Sequence, residues 1–354
     1  MALFENPLFS LFADEATTTA FSPSRTLALY GNVEAAITEA LAAEGLISAE
    51  ARAAILPAIA AFEPDWPDLV AASRRDGLPI PGYVAQMRAK LPEAHRKAFH
   101  MGSTSQDIMD TALALALAEI NATLASRLAE LLRTLDALNA RWGAVPLMGR
   151  TRMQAALPVT VRHRLDGWRA PLQRQHARLL AVRQDVECLQ FGGPVGLRDG
   201  WGDSGPAVAK AMAATLGLRE LGESWHTGRD GLLAYGAWLS ATSQALGKIG
   251  ADITLMAQQG IDEAALTGGG SSSAMPHKQN PVEAEALVTL ARFAAGNLGT
   301  LHQGGVHEQE RSGVAWALEW MVLPPLCAAT GAGLVVAGRL LERIARLGPA
   351  PPAP

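Results

Sequence analysis

Apolar residues recur every three or four positions over much of this chain of 354 residues. One stretch keeps this spacing through about eight turns, with Leu113, Leu117, Ile120, Leu124, Leu128, Leu131, Leu135 and Leu138 in register. Residues spaced in this way share one face of a helix. The pattern therefore predicts a long helix that begins near residue 106.

The same spacing returns between Leu232 and Met256, and it predicts a helix over about 228–262 that is roughly 50 Å long. Further long helices are predicted over about 158–189, 282–303 and 310–345. No stretch alternates apolar and polar residues as a half-buried strand does. Rods of this length with stripes at coiled-coil spacing indicate an all-α fold built around a long helical bundle.

The first hundred residues show shorter helical patterns, over about 26–45 and 48–61, and prolines interrupt the segment that follows. This change of pattern divides the chain into three predicted parts. They are an N-terminal helical domain at 1–104, a central long-helix bundle at 105–345 and a disordered tail at 346–354.

Composition and charge narrow the class of protein. The hydrophobic fraction is 49% while aromatic residues make up only 5%, so the apolar content consists mainly of aliphatic side chains that suit helices. The net charge is -4, and no basic block stands out. Nucleic acid and anionic membrane surfaces are therefore not expected as partners.

The chain also shows no sign of export or membrane insertion. Its N-terminus lacks a signal-peptide pattern, and apolar runs such as residues 331–338 are shorter than the ~20 residues of a membrane span. Cys188 and Cys327 are far apart and show no paired spacing. These features predict a soluble, cytoplasmic protein with reduced thiols.

A glycine- and serine-rich segment, residues 267–285, reads T-G-G-G-S-S-S-A-M-P-H-K-Q-N-P-V-E-A-E. Its glycines and serines disfavour regular structure, whereas Asn280 and Pro281 are typical of a helix start. Helix N-termini attract anions, and Lys278 adds a positive charge. The segment is either a solvated linker or, as its cap signals favour, a loop that binds a carboxylate or phosphate.

The run S-S-S-A-M-P-H-K-Q-N-P within this segment resembles the signature loop of the fumarase/aspartase superfamily, G-S-S-x-M-P-x-K-x-N-P. Ser271 stands where the family has glycine. The resemblance implies that Ser272 is the general base that removes a proton next to a carboxylate. It also implies that Lys278 and Asn280 hold this carboxylate and that Ser273 and Met275 bind substrate.

A second polar cluster, H-M-G-S-T-S-Q-D-I-M-D-T at 100–111, precedes the first long helix. From its chemistry alone it is equally well explained as a helix N-cap. It resembles the first superfamily motif, H-x-G-x-T-S-x-D-x-x-D-T. That resemblance implies substrate binding by His100, Ser103, Thr104, Ser105 and Gln106.

A third cluster, G-R-T-R-M-Q-A-A-L-P-V-T at 149–160, resembles the second superfamily motif, G-R-T-H-x-Q-x-A-x-P-x-T. The usual histidine is Arg152, which stays protonated and so binds anions but carries protons poorly. We expect Arg152 and Gln154 to bind substrate. The change disfavours fumarases and adenylosuccinate lyases, which use this histidine in acid-base chemistry.

Three further stretches resemble the superfamily's cycloisomerase branch, the bacterial 3-carboxy-cis,cis-muconate cycloisomerases. They are N-P-L-F-S-L-F near the start, W-H-T-G-R-D at 225–230 and V-H-E-Q-E-R-S-G-V-A-W-A-L-E-W at 306–320. Arg311 would be a further carboxylate clamp, unless it is simply a surface arginine. His100, His226 and His307 are candidates for an acid and equally for structural roles.

The resemblance implies an enzyme that closes 3-carboxy-cis,cis-muconate to a carboxymuconolactone. It implies a homotetramer with shared active sites, a polycarboxylate substrate, and no metal or organic cofactor. Superfamily members usually continue into a third helical domain of about a hundred residues, which this chain is expected to lack. Two alternatives stay open, namely another lyase of the superfamily such as adenylosuccinate lyase, and a helical scaffold without catalysis.

Overall fold

The computed structural model describes residues 6–271, 275 and 279–350. In these ranges the α-helices are α1 (Glu15–Thr19), α2 (Pro23–Ala43), α3 (Ala49–Ala60), α4 (Trp66–Asp76), α5 (Ile80–Lys90), α6 (Ser105–Trp142), α7 (Val161–Val186), α8 (Gly205–Leu216), α9 (Asp230–Met256), α10 (Val282–Gln303) and α11 (Val314–Glu342). The strands are β1 (Pro146–Thr151), β2 (Gln154–Thr160), β3 (Ala264–Leu266), β4 (Gly270–Ser271), β5 (Gln279–Asn280) and β6 (Ile344–Leu347).

The long helices α6, α7, α9, α10 and α11 pack side by side and form the predicted bundle. Their apolar stripes meet in one core, to which α6 contributes Leu117 through Leu138 and α9 contributes Leu232 through Met256. The prediction of an all-α bundle is confirmed.

These five helices alternate in direction. Arg229, which precedes α9, contacts Asp110 near the start of α6 and Glu319 near the start of α11, so these three helices run one way. Helix α7 starts beside the end of α6, and Glu283 at the start of α10 lies near Arg339 at the end of α11, so α7 and α10 run back. We call the end of the bundle where α6 begins the head end, and the end where it finishes the tail end. With 38 residues, α6 is about 57 Å long, so the two ends are well separated.

The strands form three short two-stranded sheets at the tail end, β1 with β2, β3 with β6 and β4 with β5. The sequence did not predict them. The helix expected from residue 158 begins at Val161, because Pro158 lies within β2. The predicted tail also begins too early, since Arg346 and Leu347 belong to β6. Residues 351–354 of that tail lie outside the described residues.

A second core lies where the N-terminal helices meet the head end of the bundle. It joins Val33, Ile37 and Tyr83 to residues that come later in the chain, such as Phe191 and Met212. The N-terminal helices therefore do not bury this core by themselves. The division of the chain at residue 104 stays a prediction.

Two helices, α6 and α11, are long and apolar enough to cross a membrane by length and composition alone. In their most apolar windows, 56% of α6 and 72% of α11 is buried inside the protein. Core helices of a soluble protein meet the same criterion, so this feature is weak evidence for a membrane. Cys188 and Cys327 are free and buried. Burial raises the pKa of these thiols to about 11 and about 12, which disfavours thiolate chemistry.

The N-terminal segment is fixed to the bundle by a buried ion pair. Asp14 accepts hydrogen bonds from both terminal nitrogens of Arg127, at 2.6 and 2.9 Å, and from the hydroxyl of Thr17 at 2.7 Å. Burial alone raises the pKa of Asp14, but Arg127 and Thr17 outweigh it and hold the pKa below 3.8. The ionised carboxylate therefore stabilises the fold.

We expect Asp14→Asn to lower the free energy of unfolding by about 1–3 kcal/mol at neutral pH. Because the folded-state pKa of Asp14 is depressed, its contribution exists above 3.8 and disappears as the pH falls through the folded value. The difference between denaturant titrations of the two proteins should begin to shrink below about pH 4 and vanish only below the folded-state pKa. The control is Glu119→Gln, which removes an exposed pair with Arg25 and should cost little. An equal difference at acid and neutral pH would contradict this role.

Candidate active site

The first motif surrounds the start of α6 at the head end. Asp107, fully buried, accepts the backbone N–H of Thr104 at 2.9 Å and those of Gly192 and Gly193 at 2.7 and 3.0 Å. Its carboxylate therefore caps the helix and also ties a glycine-rich loop to it. The predicted N-cap is confirmed at Thr104, and Ser105 is the first helical residue. Ser103 has a buried hydroxyl with no hydrogen-bond partner in the described part of the chain.

Gln106 and Arg311, which are 205 residues apart, are in direct contact. The Gln106 amide nitrogen donates to Asp110 at 3.0 Å and to the His226 carbonyl at 2.9 Å. These two bonds turn the amide oxygen toward Arg311, whose Nε donates to it at 3.0 Å. A second guanidinium nitrogen donates to the Pro194 carbonyl at 3.1 Å.

Arg311 therefore binds only neutral acceptors and forms no ion pair within the described residues. Its guanidinium keeps an uncompensated positive charge at the surface of the head end. A guanidinium held in this way is available to bind an anion.

A buried ionic network near Arg311 joins the stretches at 225–230 and 306–320 to the start of α6. Arg229 donates to Asp110 at 2.7 Å and to Glu319 at 2.9 Å, and Trp316 donates to Asp110 at 2.9 Å. Burial alone lowers the pKa of Arg229, but the two carboxylates outweigh it and raise the pKa above its usual value. The network fixes the helix ends on which the surface groups stand.

The three candidate histidines differ in access to solvent. His226 is 4% exposed and faces Asp107 at 3.4 Å, while the fully buried side chain of His307 lies 3.2 Å from Glu319. The Nδ1 atoms of both rings are buried, with no hydrogen-bond partner in the part of the chain that the structure describes. His100 retains 12% side-chain exposure. Of the three, His100 is therefore the ring best placed to meet a ligand.

The second motif forms a hairpin at the tail end. Strands β1 and β2 pair in antiparallel register, and Arg152 and Met153 form the turn with φ angles of 49° and 66°. Arg152 and Gln154 are both exposed. A cavity of about 510 Å³ separates this hairpin from α7 and the end of α9. Arginine and lysine side chains line it, namely Arg150, Arg152, Arg164 and Lys248, together with the acidic Asp252 and Glu263.

The glycine- and serine-rich segment lies at the same end. Gly270 pairs with Asn280 and Ser271 with Gln279, so β4 and β5 bring the two ends of the loop together. The predicted cap at Asn280 is wrong, because this residue belongs to β5 and α10 begins at Val282 after Pro281. Glu283 and Glu285 are in the first turn of α10, as expected.

A cavity of about 200 Å³ borders both Asn280 and the start of α10. Met275 is 42% exposed. Ser272, Ser273 and Lys278 lie outside the described residues. The described part of the chain contains no cluster of three His, Cys, Asp or Glu side chains able to hold a metal ion.

The candidate residues thus fall into two groups, one at each end of the bundle. The head group contains His100, Ser103, Thr104, Ser105, Gln106 and Arg311, and the tail group contains Arg152, Gln154, Met275 and Asn280. Helix α9 connects the two ends with 27 residues, a length of about 40 Å. One small molecule does not reach both groups of the same chain.

Several contacts that hold the head group together were not predicted from the sequence. Glu34 on α2 contacts His100, and the loop at 189–196 supplies Gln190, Gly192 and Gly193. The run F-G-G-P-V-G in that loop is a turn signal that indicates close backbone packing. It does not reveal which residues the loop contacts.

Comparison with known proteins gives a consistent assignment. The Lyase family model matches residues 14–296. The chain is 36% identical to the 3-carboxy-cis,cis-muconate cycloisomerase of Pseudomonas aeruginosa over 315 residues, which are 87% of this chain and 69% of that protein. It is 34% identical to the enzyme of that name from Pseudomonas putida over 347 residues, 96% of this chain and 82% of that protein.

A solved structure shows the same likeness in three dimensions. The 3-carboxy-cis,cis-muconate lactonizing enzyme from Pseudomonas putida aligns with a TM-score of 0.90 at 34% identity, over 96% of this chain and 77% of that one. The family model covers most of the sequence, and the helical bundle is shared along nearly its full length. The chain therefore belongs to this lyase family, within the fumarase/aspartase superfamily that its motifs predicted.

Proposed function

We propose that the protein is a cycloisomerase that interconverts 3-carboxy-cis,cis-muconate and 4-carboxymuconolactone in the cytoplasm. This reaction belongs to the breakdown of aromatic acids through protocatechuate. Similarity to proteins of that name supports the activity. The observation that carries the substrate class is Arg311, a guanidinium held by neutral acceptors and left free for a carboxylate.

The separation of the two groups requires that a complete site be shared between chains. If a second chain packs antiparallel to the first, the tail group of one chain lies beside the head group of the other. We propose that a homotetramer arranges the chains in this way and so builds identical composite sites.

Exposed apolar side chains near both groups support this assembly. At the tail end, Met153 is 68% and Leu157 73% exposed, and at the head end Val306 is 79% and Val314 76% exposed. Apolar residues clustered around polar candidates at both ends are typical of surfaces that associate. A polar surface at either end would not favour contact between chains.

The chemistry is a proton transfer coupled to ring closure. One substrate carboxylate oxygen adds to a carbon of a C=C bond, and the other alkene carbon, next to a second carboxylate, takes up a proton. In reverse, the alkoxide form of Ser272 takes that proton and becomes the hydroxyl, the C–O bond of the lactone breaks, and the ring oxygen leaves as a carboxylate; in the forward direction the hydroxyl returns the proton to carbon. Proton removal places extra negative charge on the carboxylate beside the carbon, so fixed positive groups stabilise the transition state selectively.

The candidate residues at the two ends of the bundle have different proposed roles. Asn280 and the N-terminus of α10 at the tail end, with Lys278 two residues before Asn280 in the sequence, are proposed to bind the carboxylate that gains charge. At the head end of the neighbouring chain, Thr104, Ser105 and Arg311 are proposed to orient the other carboxylates. Gln106, predicted to bind substrate, is fully buried with its amide already hydrogen-bonded, so its role is to hold Arg311. Arg152 adds a positive charge without exchanging protons.

The direct test is turnover by the purified protein. Loss of the conjugated diene absorbance of 3-carboxy-cis,cis-muconate should follow addition of the enzyme, while adenylosuccinate should remain unchanged in a parallel assay. Turnover of adenylosuccinate instead would assign the protein to another lyase activity. No turnover of any dicarboxylate or tricarboxylate would favour a scaffold without catalysis.

A further inference from the structure

Glu34 on α2 is an ionisable residue in an unusual place. Its side chain is fully buried, and its Oε1 lies 2.6 Å from Nδ1 of His100. Its other oxygen, Oε2, is buried without a hydrogen-bond partner among the described residues. A buried carboxylate with an unfilled acceptor position lowers stability compared with a neutral group of the same shape.

His100 itself has a strained backbone. Its φ is 61°, a left-handed conformation that non-glycine residues rarely adopt. Such conformations persist where the surrounding structure enforces them, often at ligand sites. One hydrogen bond therefore joins the buried carboxyl group of Glu34 to His100, whose backbone is strained.

The hydrogen bond decides which ring nitrogen is available to a ligand. An ionised carboxylate only accepts, so Nδ1 of His100 must carry a proton and donate to Glu34. Nε2, the other ring nitrogen, has no partner in the described part of the chain and is not among the buried polar atoms. The imidazole is thus held with Nδ1 turned inward and Nε2 reached by solvent.

We propose that Glu34 is a positioning residue that holds His100 so that Nε2 donates a hydrogen bond to a substrate carboxylate. This inference rests on the proposed function, because it assigns His100 to the head group of the composite site. Substrate carboxylates also only accept, so in the complex both ring nitrogens donate, Nδ1 to Glu34 and Nε2 to the substrate.

A purely structural role makes a different prediction. If Glu34 only anchors the segment before α6 to α2, its loss should reduce stability and leave substrate affinity unchanged. If it positions His100 for the substrate, its loss should weaken substrate binding, while removal of a buried charge leaves stability equal or higher.

The experiment compares Glu34→Gln with Glu39→Gln, a control on the same helix whose exposed carboxylate pairs with Arg52. We expect Glu34→Gln to raise KM about tenfold or more with a much smaller change in kcat, and not to lower Tm. His100→Asn should raise KM similarly, and the double variant should be no worse than either single one. The control should match the wild type in both measurements.

Calorimetric binding of propane-1,2,3-tricarboxylate separates failure of this inference from failure of the proposed function, because binding needs no turnover. Affinity for this probe should fall about tenfold in Glu34→Gln. Absence of wild-type turnover would overturn the proposed reaction alone. Unchanged KM and probe affinity in Glu34→Gln, with or without a loss of Tm, would overturn the positioning role.

Discussion

Ser272→Ala should lower kcat by about 10²–10⁴-fold and leave KM and Tm nearly unchanged. The reason is that alanine keeps the size of the loop but removes the only oxygen proposed to take the proton from carbon. The remaining groups still bind and orient the carboxylates, so a residual rate should persist. Steady-state assays with 3-carboxy-cis,cis-muconate measure both constants.

A matched control lies one residue earlier. Ser271→Gly restores the glycine that the superfamily loop usually carries, and it should keep kcat close to the wild-type value. Exchange of the carbon-bound proton with deuterated solvent should also be lost in Ser272→Ala but not in Ser271→Gly. If Ser272→Ala turned over substrate at the wild-type rate, another group would have to be the base.

Arg311→Ala should lower kcat/KM by about 10–100-fold, because a charge-assisted bond to a substrate carboxylate is lost. The guanidinium has no partner of opposite charge among the described residues, so its removal leaves no buried carboxylate unpaired. The protein should therefore still fold, with only a small loss of Tm from the neutral Gln106 oxygen that loses its donor. Kinetics and thermal denaturation measured on the same preparation test both statements.

Arg311→Lys refines this prediction, since lysine keeps the charge but not the fork of donors that reaches Gln106 and Pro194. It should restore part of the lost kcat/KM. Arg75→Ala, at an exposed arginine paired with its neighbour Asp76, is the control and should have no effect. Wild-type kinetics in Arg311→Ala would show that Arg311 is an ordinary surface residue.

The bundle was predictable because long amphipathic helices place apolar residues every three or four positions in the sequence. The stripes of α6 and α9 became the core, with Leu117 and Tyr235 fully buried. The hairpin of β1 and β2 was not predictable in the same way. Most of β2 is exposed on both faces, so no alternation of apolar and polar residues marks it. Its turn residues, Arg152 and Met153, are not the glycine or asparagine that usually signals such a turn.

In the candidate site, too, local motifs identified residues, whereas contacts between distant parts of the chain could not be predicted. Motif resemblance selected Gln106 and Arg311, which the fold brings to 3.0 Å across 205 residues of sequence. Chemistry alone had left the first motif as a helix cap, and Asp107 does cap α6. Glu34 carried no motif, because its contact with His100 depends on how α2 packs. Placement of the two groups at opposite ends also required the helix directions.

Mixing two inactive variants tests the composite site most directly. Ser272→Ala removes only the proposed base, and Arg311→Ala combined with His100→Asn changes only the head group. After the two proteins are unfolded together and reassembled, hybrid oligomers should recover up to about one quarter of the wild-type rate, since each group is intact in about half of the subunits. Separately treated variants should recover nothing. If the mixture stayed as inactive as its components while wild type treated alike regained activity, each site would have to lie within one chain, contradicting the account.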